Sequence, residues 1–290
     1  MKDYFGYKDK VVVVTGAASG MGKAATEMLV DLGAKVYALD VTNVDVEGIE
    51  CFIPTDLSQK ESIDEAFKQI PEEIDSYFGI AGVSGLKHDF LTTVKIDLIS
   101  NKYICEEILN HRMKENGSIA FMTSTGGYGW EKEGNKQYYL PVLETKGWDE
   151  AVAVIENSPL FSLPGSLGYA FSKLAMNYLV SKYQALFTGK KIRVNAVLPG
   201  STDTGLTDDF SRMTGGKDNL LKYTGYAGRL ALSKEMAEPI VFINSDMASH
   251  LSGERLIVDY GSCSEITAGI KEDPNGNATF DKIMAHFIKE

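Results

Sequence analysis

The sequence predicts an α/β protein: a Rossmann-like, doubly wound parallel sheet in three layers, formed as a single domain. Val11 to Val14 is an unbroken β-branched run, the pattern of a strand buried on both faces. It leads into ThrGlyAlaAlaSerGlyMetGly at 15–22 and then into a stripe of Ala25, Met28, Leu29 and Leu32 that stops at Gly33, so strand, glycine turn and helix follow in succession. Beyond that point strands alternate with helical stripes, and small or hydroxylated residues return at strand ends, the edge where an open parallel sheet binds ligands.

The glycine loop sets the first functional expectation. Gly16 permits the tight turn, Gly20 lets the backbone approach a pyrophosphate, and Gly22 allows close packing of helix on strand. Backbone N–H groups and the helix N-terminus then face a phosphate. Ala34 to Leu39 reads as the second strand and ends at Asp40, about twenty positions past the loop, where a carboxylate accepts from ribose hydroxyls and repels a 2′-phosphate. No Arg or Lys immediately follows Asp40, so the expected cofactor is NAD(H) rather than NADP(H).

Ile49 to Ile53 is a third short strand, followed by ProThrAspLeu at 54–57, where Asp56 is placed to hold an adenine amino group. Ser58 and Glu61 have capping-box spacing before a stripe of Ile63, Ala66, Phe67 and Ile70, which Pro71 stops. The fourth strand, Ile74 to Ile80, runs into AlaGlyValSerGly at 81–85. Residues 90–114 read as one long helix ended by Asn116-Gly117. The strand that follows, 118–127, finishes in hydroxyls and glycines, which puts Ser124 at the same sheet edge.

Residues 130–164 interrupt the alternation. With Tyr138, Tyr139 and a stripe of Trp148, Ala151, Val152 and Ile155, the segment is expected to be a lid, a substrate wall or a subunit contact. Next comes a helix over 168–187, in which Tyr169 precedes Lys173 by four positions. That spacing puts a phenol and an ammonium on one face, and a fixed positive charge favours the phenolate, so the pair suits proton transfer to or from a substrate oxygen. Lys191 to Leu198 is another buried strand, closed by Pro199-Gly200. Residues 206–229 read as a mobile loop with a short helix, Ser233 as the cap of a helix through Ser245, and Arg255 to Asp259 as the last strand. The tail carries a loose helical pattern at Phe280, Ile283, Met284, Phe287 and Ile288.

Bulk properties narrow the class. The chain has 290 residues, 44% of them hydrophobic, and a formal charge of −11 that argues against nucleic acid or an anionic membrane as partner. Its apolar runs are far too short for a bilayer span and its first ten residues are too polar for a signal peptide, so a cytoplasmic location is expected. Three scattered cysteines suit reduced thiols, and the four histidines show no ligand spacing, so no metal site is expected.

Taken together, ThrGlyAlaAlaSerGlyMetGly, Asp40, AspLeu at 56–57, AlaGly at 81–82, Ser124, TyrAlaPheSerLys at 169–173, ProGlySerThrAspThr at 199–204 and LeuIleValAspTyrGly at 256–261 resemble the short-chain dehydrogenase/reductase family. They occur in the family's order over about residues 9–261. The long segment between Ser124 and Tyr169 is similar to that of the bacterial 3α-hydroxysteroid dehydrogenase/carbonyl reductase and coniferyl-alcohol dehydrogenase branch. On this basis residues 1–261 are expected to be one catalytic domain carrying the 130–164 insertion, with 262–290 as a tail.

The resemblance implies roles residue by residue. Tyr169 exchanges the proton, Lys173 lowers its pKa and holds the nicotinamide ribose, and Ser124 orients the carbonyl or alcohol. Cofactor contacts are implied for Gly16, Ser19, Gly20, Met21, Gly22, Asp40, Val41, Asp56, Leu57, Ala81, Gly82, Tyr169, Lys173, Pro199, Gly200, Thr202 and Thr204. Two positions depart from the family pattern: its AsnAsnAlaGly turn is GlyIleAlaGly at 79–82, and the asparagine of the proton relay corresponds to Asp97, or in a shifted alignment to Asn101.

The resulting expectation is an NAD(H)-dependent enzyme that interconverts a secondary alcohol and a ketone, with a hydroxysteroid or bile-acid-like substrate. An aromatic alcohol is the alternative substrate, and a dinucleotide-binding sensor or scaffold the alternative class. A homodimer or homotetramer is expected, with helices 90–114 and 168–187 as the family's usual contact.

Overall fold

The computed structural model describes residues 3–222, 224–273 and 279–287; Ile288 of the expected tail stripe lies outside them. Its strands are β1 (Val11–Thr15), β2 (Lys35–Asp40), β3 (Cys51–Pro54), β4 (Ile74–Gly79), β5 (Met113–Met122), β6 (Arg193–Pro199), β7 (Thr202–Asp203), β8 (Ala231–Leu232) and β9 (Arg255–Val258). Seven of them form one parallel sheet in the order β3, β2, β1, β4, β5, β6, β9, while β7 and β8 pair separately. The sheet grows outward in both directions from β1 and β4, so a crevice opens at their carboxyl ends.

The pleat sorts β1 between two cores. Val12 and Val14 belong to one layer with Ala25 and Leu29 of helix Gly20–Asp31 and Ile240 and Val241 of helix Ser233–Ile243. Val13 belongs to the other, with Ile63, Leu98, Phe171 and Leu179. Alternate side chains of a strand point to opposite faces, which is why a continuous valine run makes a strand covered on both sides.

Several boundaries differ from the sequence reading. The long helix ends at Arg112, and β5 begins at Met113; Asn116, the expected stop, instead takes φ 63° inside an irregular start of that strand. Wide turns at Lys95–Ile99 and Ile104–Leu109 interrupt the helix, and Asp97 lies in the first. Such widened turns are frequent at functional sites. Ser58 does not cap a helix: its hydroxyl donates to Asp56 Oδ1 at 2.7 Å, and the helix starts at Lys60. Ser233 is the first helical residue rather than the cap, and Glu235 accepts from the Leu232 N–H at 2.8 Å. The stretch after β7 holds two short helices, Thr207–Met213 and Lys217–Leu221, where one was expected.

The insertion folds as helices Glu133–Leu143 and Gly147–Glu156 and lies across helices 90–112 and 165–187. Trp148 meets Tyr103 edge-on at 6.0 Å, and Tyr139 meets Tyr178 at 5.6 Å. Beneath them the fully buried Lys102 donates to Glu106 Oε2 and to the Thr145 carbonyl, each at 2.8 Å, while Lys182 donates to Glu106 Oε1 and the Leu143 carbonyl. The insertion thus packs on helices 90–112 and 165–187, the pair that the family resemblance implied for subunit contact. The tail reaches the same place: Phe280 is buried against Tyr138 and Phe171, and its N–H donates to Asn135 Oδ1 at 2.6 Å.

Candidate active site

A cleft of about 530 Å³ opens at the carboxyl ends of β1, β2 and β4. Of the expected cofactor contacts, Gly16, Ser19, Gly20, Met21, Gly22, Asp40, Val41, Asp56, Leu57, Ala81, Gly82 and Thr204 line it. The loop is built for close approach. A Cβ on Gly22 would lie 1.9 Å from the Gly16 carbonyl oxygen, and Gly16 itself has φ +72° with Ala81 backbone 2.7 Å from where a Cβ would stand. No larger residue keeps helix and strand at this spacing. Asp40 Oδ2 accepts from the Ala18 N–H at 3.0 Å and Oδ1 from the Thr42 N–H at 3.0 Å, so the acid is fixed at the end of the cleft beside β2. A glycine cradle at a helix N-terminus with an acid beyond it fits a dinucleotide.

Tyr169, Lys173 and Ser124 come together beside Gly82, and none of the three lines the cleft itself, although Tyr169 and Lys173 were expected to touch the cofactor. Ser124 caps a single turn after β5 by accepting from the Gly126 N–H at 2.9 Å. At Gly126 a Cβ would be 3.3 Å from Ser124 Oγ and 3.7 Å from Tyr169 Cε1, so hydroxyl and phenol ring share one glycine surface. Lys173 is buried, donates to the Met122 carbonyl at 3.3 Å, and lies with Nζ 5.3 Å from the Tyr169 ring centroid. Its Nζ is also 3.4 Å from the position of a Cβ on Gly82, which joins this group to the cleft.

The electrostatics correct one expectation. Burial raises the Tyr169 pKa, the Ser124 hydroxyl pulls it down, and the Asp97 carboxylate raises it further. Burial dominates, and the phenol shifts in the opposite direction to the one its spacing from Lys173 suggested. Burial lowers the Lys173 pKa against the pull of Asp97. Asp97 is 1% exposed and accepts from the Val83 N–H at 2.8 Å; burial pushes it up to about 6 against the opposing Lys173 charge and that hydrogen bond. Asn101 is engaged elsewhere, accepting from Tyr77 at 3.0 Å.

Pro199, Gly200 and Thr202 do not line the cleft. Gly200 borders a separate cavity of about 120 Å³ with Ser201, Arg229 and Asp259, and Thr202 Oγ1 donates to the Gly200 carbonyl at 3.0 Å. The loop after β6 turns away before Thr204 brings it back, 3.6 Å from the Cβ position of Gly20.

Comparison with known proteins decides the family. The profile described as short chain dehydrogenase matches residues 10–139, and the one described as Enoyl-(Acyl carrier protein) reductase matches 137–262, so the two tile the chain from β1 to past β9. The chain belongs to the short-chain dehydrogenase/reductase family. Curated relatives of this short-chain enzyme include a coniferyl-alcohol dehydrogenase from a Pseudomonas species, 28% identical over 88% of this chain and 97% of the relative. Another is the 3-alpha-hydroxysteroid dehydrogenase/carbonyl reductase of Comamonas testosteroni, 24% identical over 87% of this chain and 95% of the relative. A crystal structure of the 3-alpha-hydroxysteroid dehydrogenase from Pseudomonas sp. B-0831 shares the fold with a TM-score of 0.70, at 22% identity, over 91% of this chain and all of that one. Relatives with different activities match at similar identity, so the short-chain family is settled and no single branch of it stands out.

Sequence reading missed other residues of the short-chain site. Val83, His88, Thr92 and Ile96 also line the cleft. Thr92 and Ile96 are four apart on helix 90–112, so a helical-face argument applied to the strand-end loop would have found them. Phe210, 5.2 Å from the Tyr169 ring, and Asp209, which accepts from the Ser84 hydroxyl, gave no such signal.

No helix among the described residues is long and apolar enough to cross a membrane, and none of their His, Cys, Asp and Glu side chains form a group of three or more able to hold a metal ion.

Proposed function

We propose that this oxidoreductase interconverts a secondary alcohol and a ketone with NAD(H) as cofactor. What carries the reading is the meeting of Ser124 and Tyr169 on Gly126, with Lys173 between that pair and the cleft floor at Gly82. Bound in the cleft, the nicotinamide would supply or accept the hydride. The chain's own residues position and move a proton. Gly16, Gly20 and Gly22 seat the pyrophosphate against the helix start, and Asp40 takes the adenosine ribose. Ser124 Oγ donates to the substrate oxygen and fixes its angle. Tyr169 keeps its proton when buried, so in the reductive direction it protonates that oxygen as negative charge develops. Lys173, its Nζ 5.3 Å from the ring centroid, supplies positive charge nearby as the phenolate forms. Thr204, facing Gly20, closes the far wall.

A hydroxysteroid or bile-acid-like body is the proposed substrate, supported by the 3-alpha-hydroxysteroid dehydrogenase/carbonyl reductase relative. An aromatic alcohol is the second reading, favoured by Phe210 standing beside Tyr169 and by the coniferyl-alcohol dehydrogenase relative. Homo-oligomers would assemble away from helices 90–112 and 165–187, whose outer faces the insertion covers.

The test is NADH formation over a panel of hydroxysteroids and aromatic alcohols, run with NAD and NADP in parallel, for the wild type and Tyr169→Phe. A loss of about 10²–10⁴-fold in turnover with NADH binding retained supports the roles given. Turnover unchanged in Tyr169→Phe, or NADH binding with no oxidation of any panel member, would remove them.

A further inference from the structure

Two opposite charges flank one Cα of the cleft floor. A Cβ on Gly82 would lie 3.4 Å from Asp97 Oδ1 and 3.4 Å from Lys173 Nζ. Oδ1 also accepts from the Val83 N–H, while Asp97 Oδ2 is buried with no hydrogen-bond partner among the described residues. A buried carboxylate with an idle oxygen is costly to keep for holding one loop amide, since an asparagine would accept the same bond without a charge.

The charge acts on whatever sits over Gly82 and Val83. Lys173 alone would give this end of the cleft a net positive charge, and Asp97 cancels it. The nicotinamide ring is cationic when oxidised and neutral when reduced, so a positive floor disfavours the oxidised form and a neutralised floor does not. We infer that Asp97 sets the cofactor's redox-state preference, its buried carboxylate offsetting Lys173 so that the cleft binds NAD⁺ better relative to NADH than it would with an uncharged residue at this position. The inference rests on the NAD(H) reading of the cleft and adds to it a residue that selects one form of the dinucleotide.

The same charge titrates. Lys173 and Tyr169, both from helix 165–187, are the charged and titratable groups that act on Asp97 among the described residues, and the strand-end loop offers it only the Val83 N–H. Burial brings the carboxyl into the weakly acidic range, so acidification discharges Asp97 while Lys173 stays charged.

The experiment is the pair of dissociation constants for NADH, by fluorescence titration, and NAD⁺, by competition, in wild type, Asp97→Asn and Asp97→Ala between about pH 5 and pH 8. In the wild type the ratio of the NADH constant to the NAD⁺ constant should rise on the order of tenfold across that range. In both variants it should be flat and, at the alkaline end, about tenfold below the wild type. The wild-type profile reads the charge without any substitution, so a variant that folds poorly does not decide the matter. A flat wild-type ratio, or variants that match the wild type at the alkaline end, would overturn the inference while leaving the NAD(H) reading intact. If the wild type bound neither form, the dinucleotide reading would fall and the inference with it.

Discussion

Phe210 stands edge-on to Tyr169, ring centroids 5.2 Å apart at 62°. Phe210 belongs to helix Thr207–Met213, which the buried Asp209 ties to Ser84 at the end of the cleft floor. If Tyr169 meets the substrate oxygen as proposed, an aromatic edge against its phenol would wall the substrate rather than the cofactor. Phe210→Ala is expected to raise KM for a bulky apolar alcohol about tenfold, the value of one aromatic contact. The dissociation constant for NADH should change by less than about twofold. Steady-state kinetics alongside fluorescence titration reads both, and an effect on NADH binding alone would place Phe210 in the cofactor site.

Asp40 has a structural duty as well as a proposed binding one, because its Oδ2 accepts from the Ala18 N–H of the glycine loop. Removing the carboxylate should weaken NAD binding and relieve repulsion of a 2′-phosphate. For Asp40→Ala the preference for NAD over NADP, measured as a ratio of kcat/KM values, should fall at least about tenfold, or 1.4 kcal/mol. Asp40→Asn retains an acceptor for Ala18 and separates the two effects.

Asp97 also makes stability depend on pH. Its folded pKa of about 6 lies above the ordinary carboxyl value of 3.8. The neutral acid's contribution is therefore fully present below that ordinary value and is lost as pH rises through the folded one. Above it the ionised form costs the fold about 3 kcal/mol. Asp97→Asn should accordingly gain in Tm over the wild type at pH 8 and lose about half of that gain at pH 5, by thermal denaturation in matched buffers. An equal difference at both pH values would mean that the carboxyl titrates normally.

Phe280 ties the tail to the insertion. It is 1% exposed, packs against Tyr138 and Phe171, and hangs from Asn135 by its N–H. Phe280→Ala should cost about 3–5 kcal/mol in chemical denaturation, as truncation of a buried aromatic does. A loss below about 1 kcal/mol would identify the tail as an ornament of the surface.

Much of this protein was legible because its signals are local. Val11 to Val14 needs only alternation and β-branching to become a two-sided strand, Gly22 is demanded by a carbonyl six residues away in the same loop, and Tyr169 meets Lys173 through helical spacing. Thus the strand–loop–helix start, the sheet edge at which the cleft opens and the pairing of Tyr169 with Lys173 were readable from the chain alone. Tertiary structure decided the rest because it concerns residues far apart in sequence and the water between them. Only the fold brings Asp97 beside Lys173 at Gly82, Phe210 onto Tyr169, and Phe280 onto Tyr138. The direction of the Tyr169 pKa belongs there too: spacing pointed to an acidic phenol, but burial removes water from the hydroxyl, and desolvation prevails.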